Sequence, residues 1–128
     1  MDDCLFCKII SGDIPADKVF ENKRLLAFRD INPAAPTHIL IIPKIHIPTL
    51  NELEQKHNEL VGELVRTASE LAKQEGIAEA GYRTGFNCNE AGGQTVFHIH
   101  LHLLIKNSSS ILDSSKPFNL TNSGSYGL

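Results

Sequence analysis

Residues 92–104 read GGQTVFHIHLHLL, and the rest of the chain is interpreted outward from this stretch. Its second half alternates histidine with an aliphatic residue, a pattern that predicts a β-strand with one polar and one apolar face. The polar face would hold His98, His100 and His102, and the apolar face Ile99, Leu101 and Leu103. At a rise of roughly 3.3 Å per residue, neighbouring histidines on a straight strand would lie about 6.6 Å apart.

Three histidines at a spacing of two indicate a catalytic or metal-binding site more than an ordinary solvent-exposed strand face. The reason is that an imidazole can act as acid, base, nucleophile or metal ligand. A solvated face that happens to carry histidine is the ordinary alternative. A zinc site is the second functional interpretation, beside catalysis. Three ligands on one straight strand suit zinc poorly, since Zn–N bonds are only about 2.0–2.1 Å long.

Composition narrows the class of protein. A chain of 128 residues is expected to form one domain, and its 41% hydrophobic content allows a small core. A net charge of −3 argues against a dedicated nucleic-acid binder, which would have a basic stripe. There is neither an apolar run of about 18 residues nor a signal peptide, so we expect a cytoplasmic protein that binds no membrane. Three cysteines do not suggest a disulfide framework.

The elements around the histidine stretch predict an α+β fold, with an antiparallel sheet, one long helix and a short N-terminal helix. Asn22 suits a hairpin turn because asparagine tolerates positive φ. Thr49 and Glu52 have capping-box spacing, so one long helix, or a short one and then a long one, should begin there, with Val65 on its apolar side. The expected elements are a helix at 4–12, a hairpin at 19–29, a buried strand at 38–44, the helix ending at Gly76 and a strand at 82–89.

The motif His98-x-His100-x-His102 followed by apolar residues resembles the histidine triad (HIT) superfamily of nucleotide hydrolases and transferases. Phe97, with residues 92–95 before it, is similar to the Hint branch of nucleoside phosphoramidases. The Fhit branch of dinucleoside polyphosphate hydrolases tends to have proline at that position. The resemblance covers roughly residues 4–104. It implies a HIT-like fold and a homodimer whose sheets join.

The resemblance also implies a mechanism. His100 would attack the α-phosphorus of a purine nucleoside phosphoramidate, and water would hydrolyse the covalent nucleotidyl-histidine, with no metal required. His102 would serve for orientation and charge relief, and Thr95 would donate a hydrogen bond to the phosphate or the leaving group. Backbone N–H groups near Gly93 and Gln94 could hold phosphoryl oxygens. The expected catalytic residues are His98, His100, His102, Thr95 and, as a supporting residue, His38.

Nucleotide contacts carry over by position. Asp30 would accept hydrogen bonds from the ribose hydroxyls, since an ionised carboxylate is an acceptor only. An Asx turn ahead of Pro33 is the alternative interpretation of Asp30. The full nucleotide-binding set is Asp30, Asn87, Gly93 and Gln94, with Phe6, Ile9, Phe28 and Ile31 around the base. Taken alone, each of those four apolar residues would be assigned to the core.

Cys4 and Cys7 form a single C-x-x-C, which is half of a zinc site. In bacterial-type relatives that this segment resembles, two histidines complete the site, and by position these are His46 and His98. The zinc would be structural. Two reduced thiols without metal are the alternative.

The resemblance ends after Leu104. Ile105, Lys106 and Asn107 stand where Hint proteins continue with Gly-Gly-Arg. We therefore expect a HIT domain at 1–106 and a divergent, flexible tail at 107–128, rich in Ser, Asn and Gly. The altered tail keeps two alternatives open: a nucleotide- or zinc-binding regulatory protein without turnover, and a dinucleoside polyphosphate hydrolase.

Overall fold

The structure, a computed structural model, describes residues 3–105, so the proposed domain boundary at 106/107 and the tail lie outside the described part. The helices are α1 (Leu5–Ser11) and α2 (Asn58–Gln74). The strands are β1 (Lys18–Glu21), β2 (Leu25–Arg29), β3 (Thr37–Pro43), β4 (Arg83–Gly85) and β5 (Leu101–Ile105). Short 3-10 turns lie at Leu50–Glu52, Gln55–His57 and Glu90–Gly92. No helix in the described part is long and apolar enough to cross a membrane.

The five strands form one sheet in the order β1-β2-β3-β5-β4, and every neighbouring pair is antiparallel. The α+β prediction is therefore confirmed. His102 pairs with Leu40 of β3 on one side and with Gly85 of β4 on the other. This central register fixes the third histidine of the motif inside the sheet.

The two helices cover opposite faces of the sheet, because side chains along each strand alternate between the faces. The face under α2 buries Leu25, Ala27, Ile39, Ile41, Ile99, Leu101 and Leu103, together with Leu60, Leu64, Ala68, Leu71 and Ala72 of the helix. The face under α1 buries Leu26, Phe28, Leu40 and Ile42 against Phe6 and Ile9. Burying each large side chain contributes about 1.5–3 kcal/mol. The histidines of β3 and β5 share the register of the α1 face.

Helix α1 begins and ends as the sequence predicts. The thiol of Cys4, the N-cap residue, accepts a hydrogen bond from the Cys7 N–H at 3.3 Å. Gly12 ends the helix in the left-handed conformation (φ 90°), which glycine adopts without the steric cost of a Cβ. The cap places both cysteines on the side of the helix that faces the histidines.

The hairpin between β1 and β2 is confirmed, but the reason given for Asn22 is wrong. Among non-glycine residues in the described part, only Asn89 has a positive φ. The side chain of Asn22 stabilises the turn instead, because its Oδ1 accepts hydrogen bonds from the N–H groups of Arg24 and Leu25, both at 2.8 Å. Its amide also donates to Glu63 of α2 at 3.1 Å.

The region before α2 follows the second of the two predicted alternatives. Thr49 caps a 3-10 turn and accepts a hydrogen bond from Asn51 N–H, and α2 itself starts only at Asn58. The assignment of Val65 to the apolar stripe is wrong, since Val65 is 51% exposed, whereas Thr67 is buried. Thr67 lies one position before Ala68 and shares the buried side of the helix.

The histidine stretch is a strand only in part. Strand β5 starts at Leu101, so His98 and His100 lie in an irregular segment that precedes it. There the Ile99 N–H donates to the Ile47 carbonyl at 2.8 Å, a loop residue rather than a sheet neighbour. The predicted division of faces holds nonetheless, because Ile99 joins Leu101 in the core under α2.

Candidate active site

The triad, defined as His98, His100 and His102, is buried on the α1 face beside His38. The ring centroids of His100 and His102 are 4.9 Å apart, and those of His102 and His38 are 5.3 Å apart. The segment before β5 is not a straight strand, so these rings approach more closely than the predicted 6.6 Å backbone spacing. His38 lies next to the triad, as expected, because β3 pairs with β5 and the two rings contact each other across this pair of strands.

The protonation of His38 follows from its partners. Its Nδ1 accepts a hydrogen bond from the Ala34 N–H at 3.0 Å, and a backbone N–H can only donate. Burial lowers the pKa of His38 to about 4, so the ring is neutral at pH 7 and carries its proton on Nε2. That proton is donated to Nδ1 of His102 at 3.0 Å.

The protonation state of His102 follows from the same kind of argument. Burial, with smaller effects of His100 and His38, lowers its pKa well below 6.5, so it is neutral. With Nδ1 accepting from His38, the proton of His102 lies on Nε2. This Nε2–H is buried and has no hydrogen-bond partner among residues 3–105. An unpaired buried donor is costly unless a ligand satisfies it.

His100 has the opposite tautomer. Its Nδ1 lies 2.8 Å from the His98 carbonyl, which can only accept, so the proton is on Nδ1. Burial lowers the pKa of His100 to about 4. At neutral pH, Nε2 therefore carries a free lone pair, the form of imidazole that acts as a nucleophile.

The ring nitrogens of His98 contact Pro43 and the two cysteines at the start of helix α1. Its Nε2–H donates to the Pro43 carbonyl at 2.8 Å, and burial lowers its pKa to about 4. The lone pair on Nδ1 then faces the sulfur atoms of Cys4 at 3.4 Å and Cys7 at 3.6 Å.

These contacts form the Cys/His cluster, which consists of Cys4, Cys7, His46 and His98. Nδ1 of His46 lies 3.3 Å from Cys7 Sγ, and the four potential ligand atoms all lie within 4.8 Å of one another. Zn–S bonds of about 2.3 Å and Zn–N bonds of about 2.0 Å would place tetrahedral ligands roughly 3.4–3.8 Å apart. Burial beside Cys4 raises the pKa of the Cys7 thiol to about 11, a cost that a bound cation would offset. The residues fit a structural zinc.

Asp30 forms the Asx turn that was the alternative interpretation of its sequence. Its Oδ1 accepts from the Asn32 N–H at 2.8 Å. Oδ2 lies 3.5 Å from Nδ1 of His38 and has no hydrogen-bond partner in the described part. Burial raises the pKa of this carboxyl to about 6. The ribose role stays a prediction, and it requires the segment after β2 to expose Oδ2.

The residues expected around the nucleotide are distributed unevenly. Phe6, Ile9 and Phe28 are buried in the core under α1, whereas Ile31 is 67% exposed. Asn87 is half-buried, and its Nδ2 has no hydrogen-bond partner within residues 3–105. Asn87, Ile31 and the Oδ2 atom of Asp30 are therefore the parts of the expected nucleotide site with groups left for a ligand.

The phosphoryl contacts expected from the backbone of Gly93 and Gln94 stay a prediction, since both N–H groups already have partners within the turn. Their N–H groups donate to the carbonyls of Glu90 at 2.9 Å and Asn89 at 3.0 Å, which closes the turn. The buried Gln94 side chain accepts from Asn89 N–H and donates to the carbonyls of Pro48 and Val96. Gln94 thus ties the turn to the loop before α2.

Thr95 is placed on the side of the Cys/His cluster. It is exposed and lines a cavity of about 370 Å³, which is also lined by Asp3, Cys4, Leu5, His46, Val96 and Phe97. Its hydrogen bond to substrate stays a prediction. Sequence reasoning missed two functional groups, the Ala34 N–H and the His98 carbonyl, because backbone groups that set a tautomer leave no signal in residue type.

Comparisons with known proteins agree with this geometry. A family model described as "Scavenger mRNA decapping enzyme C-term binding" matches residues 3–116. The purine nucleoside phosphoramidase of Escherichia coli K12 is 52% identical over 103 residues, which is 80% of this chain and 87% of that protein. A 14 kDa zinc-binding protein of Zea mays is 51% identical, over 78% of this chain and 79% of its own. The crystal structure of a HIT family hydrolase from Legionella pneumophila superimposes with a TM-score of 0.79 at 57% identity, covering 80% and 92% of the chains.

Proposed function

The chain belongs to the histidine triad superfamily, and from this membership we propose that it is a nucleotide hydrolase that cleaves the P–N bond of purine nucleoside phosphoramidates through a covalent nucleotidyl-His100. The observation that carries the proposal is the tautomer of His100. Its Nδ1–H is held by the His98 carbonyl at 2.8 Å, which leaves the Nε2 lone pair for attack.

In the first step, Nε2 of His100 attacks the α-phosphorus, and the amine leaves with the electron pair of the P–N bond and a proton taken from solvent. His102 presents a buried Nε2–H without a partner in the described part, and we assign this donor to a phosphoryl oxygen. A preorganised donor in a site of low dielectric stabilises charge that develops in the transition state. His38 maintains the tautomer of His102 through their 3.0 Å hydrogen bond.

In the second step, water attacks the phosphorus of nucleotidyl-His100 and gives up a proton to solvent. The P–N bond to His100 breaks, and the nucleoside monophosphate is released. The lone pair returns to Nε2, and the hydrogen bond to the His98 carbonyl persists through the cycle. No step requires a metal. The nucleotide would be held by Asn87 Nδ2 near the sugar-phosphate and by Asp30 Oδ2 at the ribose hydroxyls, because both atoms are buried without hydrogen-bond partners in the described part.

The test is intact-protein mass spectrometry after brief mixing with an adenosine phosphoramidate and an acid quench. The wild-type protein should gain the mass of one adenylyl group and release adenosine monophosphate, and His100→Ala should do neither. His57→Ala is the matched control, since His57 lies outside the triad and its Nδ1 accepts a bond from the Glu54 N–H. Undiminished turnover by His100→Ala would overturn the proposal.

We also propose that the Cys/His cluster holds a structural zinc. Zinc bound there would cross-link the start of α1 to the triad segment and to the loop that carries His46, because the four ligands come from three separate parts of the chain. Metal analysis of the full chain should find one zinc per protein, and Cys4→Ser/Cys7→Ser should contain none.

We further propose a cytoplasmic homodimer. Strand β4 lies at an edge of the sheet, where a second copy could continue the strand order. The three cysteines are free thiols, as is usual in a reducing compartment. Sedimentation analysis of the full chain should give the mass of two copies, and a monomer mass at micromolar concentration would contradict the dimer.

A further inference from the structure

His98 belongs to both the triad and the Cys/His cluster, and it connects the two through different atoms. Its Nδ1 faces the sulfur atoms of Cys4 and Cys7, at 3.4 and 3.6 Å. Its carbonyl accepts the Nδ1–H of His100 at 2.8 Å. Any displacement of His98 by the cluster therefore moves the acceptor that fixes the tautomer and the ring plane of His100.

Phe6 makes a second connection. It lies between Cys4 and Cys7 in α1 and is fully buried. Its ring is perpendicular to the His100 ring, with an interplanar angle of 89° and centroids 5.0 Å apart. It also contacts the edge of the His98 ring, with centroids 5.9 Å apart. The residue that packs on the nucleophile thus lies, in sequence, between the two cysteines of the cluster.

Helix α1 has only seven residues. Helices shorter than about 12–15 residues are marginal by themselves, so the position of α1 depends on what anchors it. Its anchors in the described part include the packing of Phe6 and Ile9 in the core, with Leu5 and Ile10 beside them, and the contacts of Cys4 and Cys7 with the two histidines. Without the cluster's cross-link, the N-terminal turn that carries Phe6 is held by apolar packing alone.

We propose that Phe6 and the His98 carbonyl are positioning groups through which the Cys/His cluster holds the His100 ring, so that metal occupancy sets the rate at which His100 takes up the nucleotidyl group. This proposal rests on the proposed function of His100. Misplacement of a reacting group by about 1 Å costs on the order of 100-fold in rate, so a small rotation of the imidazole is enough. The metal takes no part in the reaction.

The experiment uses the full chain, loaded with zinc or stripped by a chelator, with metal content measured and the temperature held well below the melting point. Three quantities are compared: the single-turnover rate of adduct formation, the affinity for adenosine monophosphate, and the ¹⁵N-resolved NMR signal of the His100 Nδ1–H. Removal of zinc should slow adduct formation by roughly ten-fold or more and shift or broaden the Nδ1–H signal, with affinity changed by less than about two-fold.

Phe6→Leu should form the adduct slowly even with zinc bound, and its rate should respond to zinc by less than about three-fold, because the second connection is gone. Phe6→Met, which fills more of the volume without a ring, replaces it if the leucine variant does not fold. Leu64→Ala is the control, since Leu64 is equally buried but lies in the core under α2. It should lose stability while it retains the wild-type rate and zinc dependence.

Two results would overturn the positioning role. One is a metal-free wild-type protein that melts earlier but forms the adduct at the zinc-loaded rate with an unchanged Nδ1–H signal, since the cluster would then be a structural cross-link only. The other is a Phe6 variant with the wild-type rate and zinc response. If zinc-loaded wild-type protein forms no adduct at all, the proposed function fails, and a zinc-dependent Nδ1–H signal would still support the positioning of His100.

Discussion

At the scale of single residues, the site is an arrangement of neutral histidines whose tautomers are set by backbone groups. The Ala34 N–H requires Nδ1 of His38 to accept, and the His98 carbonyl requires Nδ1 of His100 to donate. Burial keeps the rings neutral, and each buried nitrogen that has a partner avoids the cost of desolvation. The buried Nε2–H of His102 has no such partner in the described part, and it marks where a ligand is expected.

The pH dependence of the first step follows from the lowered pKa of His100. Because burial lowers this pKa to about 4, Nε2 stays unprotonated well below the ordinary value of 6.5. The single-turnover rate of adduct formation should be flat from pH 8 to roughly 5.5. Rapid-quench measurements across this range provide the check. A rate that halves near pH 6.5 would show that His100 titrates as an ordinary exposed histidine.

Asp30 should be a site where stability and function oppose each other. Its pKa is about 6 in the folded protein against an ordinary 3.8, so its stabilising contribution is present below pH 3.8 and lost as the pH rises through 6. At pH 7.5, Asp30→Asn should therefore stabilise the protein by roughly 1–3 kcal/mol and weaken nucleotide binding. Urea denaturation and monophosphate titration measure the two effects.

The matched control for that substitution is Asp17→Asn, because the Asp17 side chain is 75% exposed. It should change stability by less than about 0.5 kcal/mol. The opposite result, a less stable Asp30→Asn variant at pH 7.5, would mean that a partner stabilises the ionised carboxylate of Asp30. The pKa of Asp30 would then not be raised in the folded protein.

At the scale of elements, short segments rely on side-chain hydrogen bonds more than on propensity. The turn between β1 and β2 is closed by Asn22 Oδ1, and the turn before the triad by the Gln94 amide. The start of α2 shows the limit of a local signal. Thr49 does cap a turn, but it is a 3-10 turn, and α2 begins six residues after Glu52.

Asn22→Ala should destabilise the protein by about 1–2 kcal/mol, because two backbone N–H groups of the turn lose their acceptor. The substitution also removes the 3.1 Å link from the hairpin to Glu63 of α2. Lys23→Ala, at the neighbouring exposed position of the same turn, serves as the control and should be close to neutral. Urea unfolding monitored by circular dichroism measures both. Equal stability of the two variants would contradict the role of the Asn22 side chain.

At the scale of the whole molecule, the two faces of the sheet have different roles. Its α2 face is an apolar core, and its α1 face combines a smaller core with the buried triad. This division concentrates the titratable groups of the interior on one side. The stability of the whole chain should therefore depend on pH through that face.

We expect the free energy of unfolding of the metal-free protein to fall by several kcal/mol between pH 6.5 and 4.5, at about 1.4 kcal/mol per pKa unit for each fully buried group. Burial lowers the pKa of His38, His98 and His100 to about 4, so their contribution is present above 6.5 and is lost as the pH falls. Asp30 acts in the opposite direction, but as a single group. Urea midpoints in the presence of a chelator test this. A constant midpoint would contradict it.

The sequence by itself determined the strand periodicity, the division of the histidine stretch into a polar and an apolar face, the short capped helix and the C-x-x-C of Cys4 and Cys7. These follow from local steric and hydrogen-bonding preferences or from spacing along the chain. His46 and His98 of the Cys/His cluster were expected only from the family resemblance. Only the tertiary structure decided that His98 and His100 lie outside the strand, that Phe6 packs on His100, that Asp30 is buried, and which nitrogen of each histidine carries the proton. Those features depend on contacts with groups distant in the chain, such as His98 with Cys4 and His102 with His38. A local sequence pattern cannot predict such contacts, because they form only when α1 packs against the sheet.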